Sequence, residues 1–181
     1  MCSSDLYVFE YTTLRKDYYR KGGEHRPYKV EFTKDIGEDA RRRDFTANAL
    51  YLDIETGQIH DPTGRGIKDT RDGILRAAAK EAIDTLSADG LRIMRMVRLS
   101  SELGFAISED LFECARQNVS LLADISAERK RQELERILLA DIKYGKEQAH
   151  LKGMLLLGET GALEYVIEEM ERGRGMQQKK Q

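Results

Sequence analysis

Apolar and polar residues alternate in the first part of the chain, which is typical of β-strands. Residues 6–13 and 28–33 alternate and are rich in aromatic and β-branched side chains, so we predict a strand over each. Residues 16–27 contain two adjacent glycines and a proline and predict a flexible connection. Residues 49–54, a turn and a short return over 59–61 predict a hairpin.

Shorter segments complete this part, and helical spacing follows. We predict helix within residues 37–48, a turn cluster over 61–66 and an extended piece over 73–77. From residue 79 onward the chain has no proline, and its apolar spacing predicts five helices, over residues 89–103, 108–119, 127–141, 145–157 and 161–171. Helix ends are expected at four glycines and a helix start at one serine: Gly104, Gly145, Gly158, Gly173 and Ser126. The pattern predicts a β-rich piece followed by an all-helical piece, with the boundary near residue 80.

Composition excludes several classes of protein. The 181 residues are 40% hydrophobic and 34% charged, as in a globular protein, and the net charge is −2. A basic surface must therefore come from local clustering. Two cysteines and three histidines exclude a disulfide framework and a cysteine-rich zinc site. No apolar stretch has the length of a membrane span or a signal peptide, so we expect a cytoplasmic protein without membrane contact.

A basic run followed by an acid precedes the predicted hairpin. It consists of Arg41, Arg42, Arg43 and Asp44. One interpretation is a solvated basic turn capped by the aspartate, and composition alone favours it. The other is a corner that binds phosphate and ribose, because the guanidinium fork matches phosphate and a carboxylate accepts hydrogen bonds from sugar hydroxyls.

The predicted helix over residues 89–103 combines apolar residues on every side with charges at steps of three. The charged residues are Asp89, Arg92, Arg95 and Arg98. A helix that is apolar all round is mostly buried, and buried charges require partners. Asp89 can pair with Arg92 one turn further on, which leaves two arginines in need of anions. Nearby glutamates could supply them in an internal salt-bridge network, and so could an anionic ligand in a cleft.

In order and spacing, these motifs resemble class II CCA-adding enzymes and bacterial poly(A) polymerases. The resemblance covers nearly the whole chain from about residue 8, and it rests on Arg42-Arg43-Asp44-Phe45-Thr46-x-Asn48-Ala49, Asp61-Pro62-x-Gly64, Asp89-x-x-Arg92-x-x-Arg95-x-x-Arg98, Glu102-Leu103-Gly104-Phe105, Ser126-Ala127-Glu128-Arg129, Thr160-Gly161 and Gly175-Met176-Gln177-Gln178. It implies an α+β fold: part of a nucleotidyltransferase head over residues 1–79, a helical neck over 80–143 and the start of a helical body over 144–181.

The resemblance also implies a function and a set of site residues. Such an enzyme transfers CMP and AMP from CTP and ATP to the 3′ end of tRNA without a nucleic-acid template, and it uses Mg²⁺. Asp89 and Arg92 would read the incoming base, while Arg43, Arg95 and Arg98 would bind the nucleotide and Asp44 its ribose.

The chemistry of the implied base-reading pair is consistent with this selection. A carboxylate only accepts hydrogen bonds and a guanidinium only donates them. Cytosine and adenine present an amino donor beside a ring-nitrogen acceptor, whereas uracil and guanine present the opposite polarity. A mismatch that leaves buried polar groups unpaired can discriminate by about 10⁴-fold.

The chain departs from the family pattern at several positions. Ala88 and Gly90 stand where family members usually have Glu and often have Pro, which puts base selectivity in doubt. The Gly-Gly-Ser-x-Arg-Asp motif is missing, and no two aspartates have the Asp-x-Asp spacing of the metal-binding pair. Glu10 is either an auxiliary carboxylate or an exposed strand glutamate. We therefore expect an internal fragment without catalytic or metal-binding residues, inactive by itself.

Three other functions remain open from the sequence. The first is a poly(A) polymerase of the same family, and the second is a non-catalytic nucleotide- or RNA-binding module. The third is a structural helical protein whose arginines form internal salt bridges. Three lysines could contact an RNA backbone or be solvated surface: Lys143, Lys146 and Lys152. The oligomeric state is left open.

Overall fold

The computed structural model describes residues 12–18 and 27–167. The predicted strand over 6–13 lies almost wholly outside these residues, and its last two residues, 12 and 13, are not in a strand. Glu10, Gly22, Gly23, Gly173 and the matched motif over 175–178 also lie outside the described residues.

Short paired strands make up the first part of the described chain. Two pairs are antiparallel and one is parallel: β1 (Arg15–Tyr18) with β2 (Lys29–Phe32), β3 (Tyr51–Leu52) with β4 (Ile59–His60), and β5 (Ile74–Leu75) with β6 (Ala106–Ile107) in parallel. The predicted strand over 28–33 and the hairpin are confirmed. The prediction of a connection from residue 16 was wrong at its start, because β1 is held by backbone pairing and has no apolar alternation.

Helices make up most of the remaining chain. They are α1 (Ile36–Arg42), α2 (Gly66–Asp72), α3 (Ala82–Ala88), α4 (Arg92–Leu103), α5 (Glu109–Gln117), α6 (Ala127–Leu138), α7 (Ala140–Tyr144), α8 (Ala149–Glu159) and α9 (Leu163–Val166). Neither α2 nor α3 was predicted. The helix expected from residue 89 begins at Arg92, because Asp89 is extended at φ −156°. The single helix expected over 127–141 is divided at Leu139 into α6 and α7.

The predicted helix boundaries are partly confirmed. Gly104 ends α4 and Gly145 ends α7, both in the left-handed conformation that glycine adopts without a steric penalty. Ser126 caps α6 and accepts a hydrogen bond from the backbone N–H of Arg129. The prediction for Gly158 was wrong, since this residue lies inside α8.

Helix α4 lies at the centre of the hydrophobic core. Its residues Ile93, Met94, Met96 and Val97 have no exposed surface, which confirms the prediction of a buried helix. Each such side chain stabilises the fold by roughly 1.5–3 kcal/mol through burial. The helix packs against α6 and α8. Within the described ranges, we find no helix whose length and apolar character would let it cross a membrane.

The same core includes residues from both sides of position 80. Phe45, Leu75 and Ala77 belong to one hydrophobic cluster with the buried residues of α4. Phe45 also pairs with Ala77 through a β-bridge. The basic run that precedes Phe45 is therefore held directly against the helix that carries Arg92, Arg95 and Arg98, and Asp89 lies just before this helix.

Candidate nucleotide-binding site

A cleft of about 610 Å³ opens between the end of α1, the start of α4 and α6. Its lining residues are Arg15, Asp17, Pro27, Arg42, Arg43, Asp44, Asn48, Asp89, Leu91, Arg92, Arg95 and Arg129. Six arginines thus face three aspartates. A concave surface with such an excess of positive charge attracts a polyanion such as a nucleoside triphosphate.

Asp44 and Arg95 form a two-hydrogen-bond ion pair at one side of the cleft. Arg95 donates to Oδ2 of Asp44 from Nε at 2.8 Å and from Nη2 at 2.5 Å. The other oxygen, Oδ1, accepts from the backbone N–H of Phe45 and from Asn48. Burial alone would raise the pKa of Asp44, but the charge of Arg95 and the Asn48 hydrogen bond outweigh it and lower this pKa. Asp44 is therefore an ionised, oriented acceptor.

Arg92 connects the ends of two helices. Its Nη1 donates to the carbonyl of Thr85 at 2.9 Å, and its Nη2 donates to the carbonyl of Arg42 at 2.6 Å. These carbonyls lie in the last turns of α3 and α1, where helix carbonyls have no intrahelical partner. A cation there also interacts favourably with both helix dipoles. The guanidinium is thus fixed by two backbone groups rather than by another side chain.

Asp89 does not pair with Arg92 as predicted; it pairs with Arg129 of α6. Nη2 of Arg129 lies 2.5 Å from Oδ2 of Asp89, while Oδ1 accepts from the backbone N–H of Leu91 at 3.1 Å. The prediction was wrong because it placed Asp89 inside the helix, one turn before Arg92. An extended residue before the helix instead directs its carboxylate back to the first turn and across to α6.

The remaining predicted arginines are in different environments. Arg43 lines the cleft, pairs with Asp39 at 2.9 Å and lies over the ring of Tyr51. Arg98 is not among the cleft-lining residues; it bonds Glu133 and Glu102 at 2.6 Å each, and all three side chains are nearly buried. Five of the six predicted site residues therefore meet in one cleft, and Arg98 lies in an internal salt-bridge network.

Two residues of this region were not predicted as part of a site. Arg129 was noted only as the end of a matched motif, and Asp39 was not considered. Asp39 is completely buried behind the cleft and accepts hydrogen bonds from both Arg42 and Arg43. The available signal was the spacing of three and four residues from Asp39 to these arginines, which places all three on neighbouring turns of one helix.

Two further sequence observations have structural explanations. A Cβ on Gly90 would lie 2.4 Å from the backbone oxygen of Leu121, so this position requires glycine for close packing. Lys152 donates to the carbonyls of Ser100 and Phe105, and Lys146 donates to that of Leu103. Both lysines therefore stabilise carbonyl groups at and just beyond the end of α4.

A metal centre does not fit the described residues. Within 12–18 and 27–167, no group of three or more His, Cys, Asp or Glu side chains is arranged to hold a metal ion. The acidic residues of the cleft are instead paired with arginines.

Comparison with known proteins shows which family the chain resembles. A family model described as "Poly A polymerase head domain" matches residues 1–76, and one described as "Probable RNA and SrmB- binding site of polymerase A" matches residues 104–173. The CCA-adding enzyme of Geobacillus stearothermophilus is 39% identical over 163 residues, which is 88% of this chain and 37% of that enzyme. This chain thus spans little more than a third of that relative's length.

Solved structures give the same result. A crystal structure of the Bacillus stearothermophilus CCA-adding enzyme in complex with CTP matches with a TM-score of 0.73 and 37% identity, covering 90% of this chain and 37% of that one. A tRNA nucleotidyltransferase complexed with a primer tRNA and an incoming ATP analog matches with a TM-score of 0.62 and 28% identity, covering 74% and 37%. The chain therefore belongs to the family of CCA-adding enzymes and poly(A) polymerases.

Proposed function

We propose that this chain forms the nucleotide-selecting part of a tRNA nucleotidyltransferase that adds C and A from CTP and ATP to the tRNA 3′ end without a template. The observation that carries this proposal is the shared cleft, in which Asp89 and Arg92 lie together with Arg43, Asp44 and Arg95. Two relatives were solved with CTP and with a primer tRNA and an ATP analog, and the family resemblance extends over most of the chain.

The proposed base-reading pair has complementary donors and acceptors. Arg92 uses two of its five N–H donors on carbonyls, which fix the plane of the guanidinium and leave donors for a base edge. Asp89 is held by Arg129 and by a backbone N–H, and an ionised carboxylate has about four acceptor sites. A preorganised acceptor beside a preorganised donor matches cytosine and adenine and leaves buried groups unpaired with uracil and guanine.

The charged residues around this pair suit the rest of the nucleotide. Arg43 and Arg95 present guanidinium forks, which bind phosphate oxygens in a bidentate way. Asp44 is an ionised acceptor suited to ribose hydroxyls. A nucleotide phosphate can take over Arg95 from Asp44, because both partners are anions. The family resemblance implies a phosphate contact for Arg98, but its two buried carboxylate partners favour a structural role.

Several properties of the whole protein are part of the same proposal. We propose that it acts in the cytoplasm, that tRNA is its partner and that Mg²⁺ assists the transfer of the nucleotidyl group. A head over residues 1–79, a neck over 80–143 and a body from 144 are also proposed. The magnesium ions fit no group of residues in the described part of the chain.

Nucleotide binding by the 181-residue chain tests the selecting role. We expect CTP and ATP to bind at least about tenfold more tightly than UTP and GTP, measured by titration calorimetry. Asp89→Asn replaces one acceptor oxygen of the carboxylate by an amide donor, and it should abolish the preference for CTP and ATP. Arg131→Ala is the matched control, because Arg131 is an exposed arginine of α6 outside the cleft. Equal binding of all four nucleotides by the wild-type chain would refute the proposal.

Transfer assays separate the remaining alternatives. A complete protein that extends tRNA with both CTP and ATP supports CCA addition, whereas repeated addition from ATP alone supports the poly(A) polymerase that the head-domain match leaves possible. Binding without transfer by the complete protein would indicate a non-catalytic module. We also predict that the 181-residue chain adds no nucleotides with magnesium present, and strong incorporation would contradict this.

A further inference from the structure

A buried carboxylate lies behind the arginines of the cleft. Asp39 of α1 has no exposed surface and is not one of the cleft-lining residues. Its Oδ1 accepts from the backbone N–H of Arg15 at 3.0 Å and from Nε and Nη2 of Arg42 at 2.8 and 2.5 Å. Its Oδ2 accepts from Nε of Arg43 at 3.0 Å and from the hydroxyl of Tyr51 at 2.7 Å. One side chain thus fixes the guanidinium groups of two cleft arginines.

The chemistry of this cluster requires an ionised Asp39. Burial opposes its charge, but hydrogen bonds from Tyr51, the Arg15 backbone and the two arginines outweigh burial and lower its pKa to about 2. A buried carboxylate with this many donors is strongly directional, because charge-assisted hydrogen bonds lose strength quickly when they are displaced.

The anchoring extends from Asp39 to Arg92 through the backbone. The side chain of Arg42 is held by Asp39 and by the carbonyl of Arg15, to which its Nε also donates at 3.1 Å, and its Nη1 lies 3.8 Å from Oδ2 of Asp17. The carbonyl of the same residue, Arg42, accepts from Nη2 of Arg92 at 2.6 Å. Arg42 therefore connects Asp39, through its side chain, with one of the two hydrogen bonds that orient Arg92, through its carbonyl.

We propose that Asp39 is a positioning residue for base selection, which acts through Arg42 on the orientation of Arg92 and directly on Arg43. Asp39 does not contact the nucleotide. This inference rests on the base-reading role of Arg92 proposed above. Two properties of the cleft then have different causes. Attraction of the triphosphate depends on the number of arginines, whereas choice of the base depends on how Arg92 is oriented.

Asp39→Asn tests this role, because it preserves side-chain size but removes the charge and one acceptor. Binding of CTP, UTP and inorganic tripolyphosphate to the 181-residue chain is measured by titration calorimetry. We expect the CTP-to-UTP affinity ratio to fall about tenfold, while tripolyphosphate binds at least as tightly as before, since the cleft gains net positive charge. A purely structural role would weaken all three ligands equally and leave the ratio unchanged, which would overturn the inference.

Two further variants keep the test decisive. Asp35→Ala removes the N-cap of the same helix without contact to the arginines, so it controls for a general weakening of α1. Its affinity ratio should match that of the wild type. If Asp39→Asn does not fold, Tyr51→Phe removes one donor from Asp39, and we expect a ratio lowered about threefold. An unchanged ratio in that variant contradicts the inference.

The two proposals fail in different ways. If the wild-type chain binds CTP and UTP equally, the proposed function fails, and the inference fails with it. If the wild type prefers CTP and the folded Asp39→Asn variant keeps the full preference, only the inference fails.

Discussion

Replacement of Arg98 by methionine distinguishes an internal ion pair from a nucleotide contact. Arg98 is 9% exposed and bonds Glu102 and Glu133, whose side chains are 2% and 6% exposed. Methionine fills a similar space without charge, so two buried carboxylates lose their shared cation. Arg136 lies 3.6 Å from Glu133 and compensates only in part, and Oε1 of Glu102 already has no hydrogen-bond partner among the described residues.

The expected effect is large because one partner of a buried ion pair is removed. Such changes cost about 3–5 kcal/mol of unfolding free energy. In a chain of this size that corresponds to a melting temperature lower by about 10 °C. Arg131→Met is the matched control, since Arg131 also has two carboxylate partners but is 62% exposed. Its loss should cost less than about 1 kcal/mol.

Urea unfolding followed by circular dichroism measures both free energies, and CTP titration of the folded variants measures binding. We expect Arg98→Met to leave the CTP affinity within about threefold of the wild type, because loss of a direct charged contact costs tenfold or more. A second variant, Arg98→Met with Glu133→Gln, should recover part of the lost stability. Equal unfolding free energies for Arg98→Met and Arg131→Met, or a tenfold loss of CTP affinity, would refute the reasoning.

Three other changes have defined outcomes. Burial and the hydrogen bond to Asp39 raise the pKa of Tyr51 to about 12, above its unfolded value of about 10. The contribution of Tyr51 to stability is therefore complete below pH 10 and is lost as the pH rises through 12. The difference in tyrosinate absorbance between the wild type and Tyr51→Phe measures this titration. Gly90→Ala forces a Cβ against the Leu121 carbonyl and should cost about 1–3 kcal/mol in urea unfolding. Lys152→Met removes the charged donor from the Ser100 and Phe105 carbonyls, which keep the Gly104 N–H and the Ser100 hydroxyl as donors. It should therefore cost only about 1 kcal/mol, whereas the salt dependence of nucleotide binding should stay unchanged.

The site was predictable where its residues are adjacent in sequence or spaced along one helix. The basic run before Phe45 and the charges at steps of three contain the five predicted residues that line the cleft, and the family resemblance implied their role in a site. Their partners were not predictable, because they are distant in sequence: Arg95 bonds Asp44 51 residues away, and Asp89 bonds Arg129 40 residues away. The sequence required anions for the arginines but could not say which ones, since that depends on tertiary packing.

The fold, too, was predictable from local signals and not where elements depend on tertiary contacts. Left-handed glycines at Gly104 and Gly145 and a strongly apolar α4 are local signals, and they were interpreted correctly. Helices α2 and α3 were missed, because each has only seven residues and little apolar periodicity. Strand β6 has two residues, and only its parallel pairing with β5 defines it. Such elements form because the surrounding structure supplies their hydrogen bonds and contacts.

The parallel pair of β5 and β6 has a consequence for exchanging parts between relatives. One strand precedes residue 80 and the other follows α4, and Phe45 and Leu75 pack in the same cluster as Ile93 and Met94. A chimera joined at residue 80 would therefore combine a strand and core side chains from one parent with the facing strand and helix from another. We therefore expect such a chimera to keep the base preference of its helix donor only if Phe45, Leu75 and β6 come from the same parent as α4.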